Sequence, residues 1–339
     1  VVCSKVIKKD PKRSHLNDFD HKAYTLWQQT TRIFTNIGLR CIRPIIIIYT
    51  LAENFNITVA MKDIVVAIDF SKGSIHALEY AIELANLMHA NINMVWVDNL
   101  SGNEVGFANE SKELRNEAKG NFDELISRYK DKLVHGKLAT KVRKGRVYQE
   151  LANYVKQNDC CLLIVGTHGS SGFEEFWIGT NAFRIVSSIG SPVITVKHNY
   201  EIKRGYRKIL LPVYHTPQTL QKVAYAADLA RTTGADINIL AINSSGLKSV
   251  EKIVDANVAK VEKHLNEKGV NYIVDSINSK NIAFDIIEHA RMVDADLIAI
   301  MTDVQDQASS ILLGPMAQQL INYSPVPVLS IHPKDNLSL

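Results

Sequence analysis

The second half of this chain repeats the first, and that duplication narrows the folds open to it more than any other feature. Placing Gly314 on Gly179 sets an offset of 135 residues. Without gaps, the same offset brings Asp294 onto Asp159, Ala317 onto Ala182, Pro327 onto Pro192 and Val328 onto Val193. At the opening strands the offset is 145, where Pro212 falls on Ala67. The second copy is therefore about ten residues shorter between its first and fourth strands, and the polar loop at 98–109 is where the first copy is longer.

Each copy alternates short apolar runs with helical stripes. In the first, Ile64–Asp69 is an apolar run ending in a carboxylate, and Ser74–Met88 places Ile75, Leu78, Ile82, Ala85 and Met88 on one helical face. Strands are expected at Asn91–Val97, Thr140–Arg143, Cys160–Val165 and Pro192–Val196, with helices over Glu110–Leu133, Val147–Gln157 and Asn181–Ile189. The second copy expects strands at Arg207–Val213, Asp236–Ile242, Tyr272–Asp275, Leu297–Met301 and Val326–Ile331. Its helices are expected at Thr219–Arg231, Val250–Glu267, Ala283–Met292 and Leu313–Ile321. Continuously apolar strands separated by helices predict a parallel sheet covered on both faces, an α/β fold. The polar stretch 199–206 reads as the linker between domains at 61–198 and 207–333.

Composition excludes several classes. Hydrophobic residues make up 46% and charged residues 22%, a globular balance and not a disordered one. A net charge of +4 from 39 basic and 35 acidic side chains is near balance and gives no argument for nucleic acid, which wants a clustered basic face, so nucleic acid is not an expected partner. No apolar run approaches the roughly 18 residues that span a bilayer, so no membrane partner is expected either. The four cysteines include the adjacent Cys160 and Cys161 at the start of an apolar strand. They read as buried free thiols in a cytoplasmic protein, not a disulfide or metal framework. Residues 1–60 are unlike the rest and contain no methionine. Met61 reads as the natural start, with 1–60 as a non-native or disordered extension; a targeting arm is the rival reading.

The candidate site is Leu162–Asn181, LLIVGTHGSSGFEEFWIGTN. A strand breaks into a loop with glycines at 166, 169, 172 and 179, and a helical pattern opens at Thr180. Loop N–H groups and the unpaired N–H groups of a helix's first turn form an anion cradle. Glycines allow positive φ and let a phosphate approach without a Cβ in the way. A plain strand-to-helix turn would also use glycines.

Gly166-Thr-His-Gly169, followed after nine residues by Gly179-Thr180, resembles the nucleotide-binding signature of the universal stress protein family. Ile64–Asp69 and Pro192–Val196 resemble its first and last strands. The resemblance covers about 61–333 and implies two tandem doubly wound five-stranded parallel sheets. They are Rossmann-like, of order 3-2-1-4-5, and joined through their last strands as an intramolecular pseudo-dimer. Ligands of such sheets sit beyond the carboxyl ends of the strands at the switch point, here between Asp69 and Gly166. The resemblance implies ATP, with or without magnesium, as ligand. Gly166, Gly169, Gly179, Thr180 and Asn181 would then lie around the phosphates, Asp69 near the nucleoside, and Ala67 and Val97 along adenine. Ala67 departs from a proline common in the family. Asp69 has a rival reading as a helix cap, and Ser71 competes for that role. His168 reads as a positioning residue, Glu174 and Glu175 as a solvated loop face, and Ser170 and Ser171 are undecided.

The second copy departs at these positions. Met301, Val304 and Gln307 replace Gly166, Gly169 and Gly172; only Gly314 persists, followed by Pro315, which has no N–H to give. Its first strand leads into Tyr214 instead of an aspartate. Nucleotide is therefore expected in the first half only, and the lost glycines suggest that the fold does not itself require 166, 169 and 172. Three functions follow: a nucleotide-dependent sensor or adaptor, a slow ATPase or phosphotransferase, or a nucleotide-free interaction module. The segment 166–180 has no lysine or arginine to stabilise phosphoryl transfer, which disfavours the enzyme. Protein partners are not named by the sequence, and a further homodimer is left open.

Overall fold

A computed structural model of the chain describes residues 63–99, 105–158, 162–167, 179–203, 205–302, 305–307 and 310–333. The expectations for residues 1–60, for Cys160 and Cys161, and for the loop bearing His168, Gly169, Ser170, Ser171, Gly172, Glu174 and Glu175 lie outside these. So does that for Val304.

The first half runs β1 (Asp63–Ala67), α1 (Lys72–Met88), β2 (Asn91–Asp98), α2 (Val105–Tyr129), β3 (Leu138–Lys144), α3 (Val147–Gln157), β4 (Leu162–Gly166), α4 (Thr180–Ser188) and β5 (Val193–Val196). The second runs β6 (Lys208–Val213), α5 (Val223–Thr233), β7 (Asp236–Asn243), α6 (Lys248–Lys268), β8 (Tyr272–Asn278), α7 (Ile282–Met292), β9 (Leu297–Met301), a hairpin of β10 (Gln305–Gln307) and β11 (Ser310–Leu312), α8 (Pro315–Tyr323) and β12 (Val328–Ile331).

The ten long strands form one sheet in the order β3-β2-β1-β4-β5-β12-β9-β6-β7-β8. The expected order 3-2-1-4-5 thus appears twice, back to back. Every pairing is parallel except the seam, where Val193, Ile194 and Thr195 meet Ser330, Leu329 and Val328 antiparallel. The strands of the two halves therefore run in opposite directions, and their carboxyl ends lie along opposite borders of the sheet.

Burial follows the patterning. Ile64, Val65 and Val66 are fully buried, as are Ile209, Leu210 and Leu211. Successive strand side chains point to opposite faces. Ile64, Val66, Ile209 and Leu211 join α1, α2, α5 and α6 in one core. Val65 and Leu210 join α3, α4, α7 and α8 in the other. Both cores run through both halves. Helix ends follow local chemistry: the Ser71 hydroxyl caps α1 by accepting the Ser74 N–H, and α5 ends on Gly234 at φ 76°, the left-handed position that glycine takes without strain.

The linker is pinned. Tyr200 and Tyr206 pack edge-on against Tyr80 of α1, with ring centroids 6.1 and 6.0 Å away. The Tyr200 carbonyl lies 2.8 Å from His76 Nε2. Lys203 Nζ donates to Asp294 Oδ1 at 2.6 Å, while Asp296 Oδ2 accepts the backbone N–H groups of Arg207 and Lys208. Polar composition suggested a spacer; its tyrosines instead bury against the first half and its lysine pairs with the second.

Two elements differ from the sequence expectation. The helix expected over Thr219–Arg231 is a 3₁₀ turn, Pro217–Leu220, followed by α5. The segment that replaces the glycine loop in the second half contains the β10–β11 hairpin, and β11 lies against α4 of the first half.

Candidate functional site

The site is built at the carboxyl border of the first half, where β1 and β4 are neighbours. Their register pairs Val66 with Ile164, which brings Ile68 level with Gly166 and places Asp69 just beyond. Ala67 closes β1 opposite Val95 and is half-buried; Val97 stands near the end of β2 and is buried. The next residue, Asp98, is 1% exposed and receives Arg115 Nε at 2.9 Å, which fastens α2 to the end of β2.

Asp69 is exposed. Its Oδ1 accepts the Ser71 N–H at 3.0 Å, and its own N–H donates to Ser74 Oγ at 3.3 Å. Of the two competing caps, Ser71 is the cap of α1, and Asp69 braces the turn that precedes it. Phe70 makes that turn at φ 61°, an uncommon conformation for a bulky residue, held by an edge-on contact with Phe122 at 5.1 Å.

The glycines divide into roles that the sequence did not separate. A Cβ on Gly166 would lie 2.6 Å from the Gly73 carbonyl oxygen and 2.7 Å from its carbon. The end of β4 presses against the first turn of α1, and only glycine fits. This corrects the expectation that the fold has no need of Gly166. In the second half a 3₁₀ turn, Pro217–Leu220, stands where α1 begins in the first: Gln218 is exposed at the place of Gly73, and Met301 takes the place of Gly166 at 2% exposure. Gly179 also has a structural task. Its N–H donates to the Thr167 carbonyl at 2.7 Å, so that donor is committed within the protein, and Gly314 makes the same bond to Thr302 at 3.2 Å.

Among the described residues, donors outside the strand and helix ladders remain in the first turn of α4. Gly179 is its N-cap with no side-chain cap, and the first helical bond runs from Phe183 N–H to the Gly179 carbonyl. The N–H groups of Thr180, Asn181 and Ala182 thus precede the helical ladder, and Thr180 and Asn181 are exposed. At the equivalent end of α8, Pro315 takes the first position.

The corresponding border of the second half is filled by its own side chains. The Tyr214 N–H donates to Thr219 Oγ1 at 3.2 Å, as Asp69 does to Ser74. Lys222, fully buried, places Nζ 3.1 Å from Thr219 Oγ1 and 5.2 Å from the centre of the Tyr214 ring. Asn257 Nδ2 donates to the Tyr214 carbonyl at 2.8 Å.

Sequence reasoning missed Thr167 and Thr302, both buried. Their N–H groups tie strands β4 and β9 to the Val196 and Ile331 carbonyls. It also missed Ser74 and Thr219. Both pairs sit at the offsets 135 and 145 that define the repeat, so matching hydroxyls at those offsets would have found them.

The universal stress protein family matches this chain twice, over residues 61–197 and 205–332. A universal stress protein of Methanocaldococcus jannaschii is 29% identical over 140 residues, covering 40% of this chain and 82% of that protein. One from Bacillus subtilis is 27% identical over 142 residues, covering 39% of this chain and 96% of its own. The solved structure of a universal stress protein from Archaeoglobus fulgidus shares the fold with a TM-score of 0.66 at 17% identity, over 81% of this chain and 99% of that one. With two tandem matches that together cover most of its length, the chain belongs to the universal stress protein family.

Proposed function

We propose that this protein binds ATP at the carboxyl border of its first half only, and acts as a nucleotide-dependent sensor or adaptor in a stress response. One observation carries the reading: α4 begins at Gly179 with no side-chain cap and with Thr180 and Asn181 exposed, whereas α8 begins with a proline. A helix N-terminus with free donors and a positive dipole end suits phosphate.

In this reading the N–H groups of Thr180, Asn181 and Ala182 take the phosphates, aided by the Thr180 hydroxyl and by the loop around Gly169. Gly166 and Gly179 shape the cradle without donating to it. Asp69 keeps one carboxylate oxygen on its turn and offers the other to the ribose hydroxyls. Ala67 and Val97 supply the apolar wall for adenine. Among the described residues there is no group of three or more His, Cys, Asp or Glu side chains able to hold a metal, so magnesium would ride chiefly on the phosphates. The second half, with Tyr214 and Lys222 in the crevice, serves as scaffold.

The test exchanges the two helix starts. Proline is tolerated at the first helical position, so Thr180→Pro should fold while removing one donor and the hydroxyl. Titration of the full chain with ATP and magnesium should show affinity reduced about tenfold or more in this variant. Pro315→Thr should bind as the unaltered protein does. Undiminished affinity in Thr180→Pro would sink the assignment, and ADP release followed in the same samples separates a binder from a slow hydrolase.

A further inference from the structure

We propose that copies of this chain associate head to tail through the two outer strands of the sheet, β3 of one copy pairing antiparallel with β8 of the next.

The two borders differ in kind. Both are unpaired among the described strands. β3 carries Lys141, Arg143 and Lys144, the charged protection usual at an open edge. β8 has no basic residue, and its Ile273 and Val274 are 58% and 41% exposed. Its single charge is Asp275, whose side chain is 39% exposed; Oδ2 is held by Asn238 Nδ2 at 2.8 Å and lies 3.2 Å from His289 Nε2. The second oxygen remains for a partner.

Charge selects the pairing. Two β3 strands aligned about their centres would set Lys141 against Lys141, and two β8 strands would set Asp275 against Asp275. Only β3 with β8 sets Lys141 against Asp275. The two residues are also counterparts in the repeat: β2 pairs Val97 with Arg143, and β7 pairs Ile242 with Ile277, so two residues earlier Lys141 corresponds to Asp275. The duplicated edge position carries opposite signs in its two copies.

Direction and facing agree as well. The antiparallel seam makes β3 and β8 run oppositely, so a second copy added beside the first without inversion presents an antiparallel partner. Leu138, Val142 and Tyr272 pack on one core, and Ile277 packs on the other. With Lys141 opposite Asp275, Val142 meets Val274 and Ala139 meets Ile277, and each core face continues across the junction. Cross-strand pairs of opposite charge and of branched apolar residues stabilise such a junction. Because the two surfaces differ, the contact is heterologous and repeats into open chains or rings.

Sedimentation velocity of the full chain across a range of concentrations tests this. The expected mass rises past that of a dimer with concentration and falls with added salt. Val274→Lys and Lys141→Glu, both on solvent-facing strand positions, should each raise the concentration needed for association about tenfold or more. Mixed together, these two variants retain one good β3 and one good β8, and should form a one-to-one dimer that grows no further. A chain that stays monomeric throughout, growth indifferent to both substitutions, or a mixture that fails to pair would each overturn the proposal.

Discussion

Replacing Gly166 with alanine separates a packing glycine from a ligand glycine. The new Cβ would lie 2.6 Å from the Gly73 oxygen, whereas ordinary contact begins at 3.4 Å, so about 0.8 Å of movement is required. The obstructing atoms are backbone atoms in the first turn of α1, which Ser71, Ser74 and Asp69 hold in place. Forcing backbone in a packed core typically costs 1–3 kcal/mol, and with two backbone atoms in the way about 2–3 kcal/mol is expected. That corresponds to a melting temperature about 4–12 °C lower for a domain of this size. The sign is informative, because a glycine with room around it becomes more stable as alanine by about 0.4–1 kcal/mol. Gly120, inside α2 with no heavy atom within 4 Å of its Cβ position, supplies the contrast: Gly120→Ala should stabilise by about 0.5–1 kcal/mol. Thermal and urea unfolding of both variants, without nucleotide, measures the difference. If Gly166→Ala unfolds with the unaltered protein, the steric account is wrong and the glycine serves the ligand after all.

Three further outcomes follow from the same geometry. Burial holds the phenols of Tyr129, Tyr200 and Tyr206 above their ordinary value of about 10, so the unfolded chain ionises first and stability present below pH 10 is lost as pH rises beyond it. Tyr206→Phe, which removes a buried hydroxyl with no hydrogen-bond partner among the described residues, should flatten that loss in alkaline denaturation and leave neutral stability equal or up to about 1 kcal/mol higher; a large destabilisation would refute it. Asp296→Ala strips the acceptor from the Arg207 and Lys208 N–H groups and should cost about 2 kcal/mol in urea unfolding, with no change if the linker is merely a spacer. Burial first, and then the stacked His135 ring, hold His89 below its ordinary value, so the unfolded chain takes up the proton first and stability declines as pH falls below about 6.5; His89→Asn, tolerated at this left-handed helix end, should weaken that slope in pH-dependent melting.

Much of the fold was legible because strand burial leaves a plain trace. Runs such as Ile64–Val66 and Leu297–Ile300 are apolar at every position, and the repeat offset then fixed the order of elements. The seam was expected from the family resemblance; the matching runs Pro192–Val196 and Pro327–Ile331 show only that each half ends in an apolar strand. What could not be read was distance between elements remote in sequence. Gly73 against Gly166 is a contact across more than ninety positions, and nothing in either neighbourhood marks it. The Gly179 N–H looked like a phosphate donor because its bond to Thr167 depends on how the loop closes. The hairpin at 305–312 was invisible because its polar text resembles an ordinary loop. Tyr200 and Tyr206 were masked by their charged neighbours in a segment whose composition suggested only a spacer.

Joining two such sheets in one chain also changes what their seam must withstand. Separate subunits part on dilution, but a short tether keeps the local concentration of each half in the millimolar range or above for the other, across a junction made by the β5–β12 pairing and by the two shared cores. The seam can therefore tolerate a flaw such as Ser330, whose hydroxyl is buried without a hydrogen-bond partner among the described residues. In a symmetric pair of identical subunits, every substitution appears in both partners and its effect is doubled. Within one chain each half drifts alone. One crevice can therefore carry Pro315 and Tyr214 while the other carries Thr180 and Asp69, and corresponding edges can carry Lys141 and Asp275.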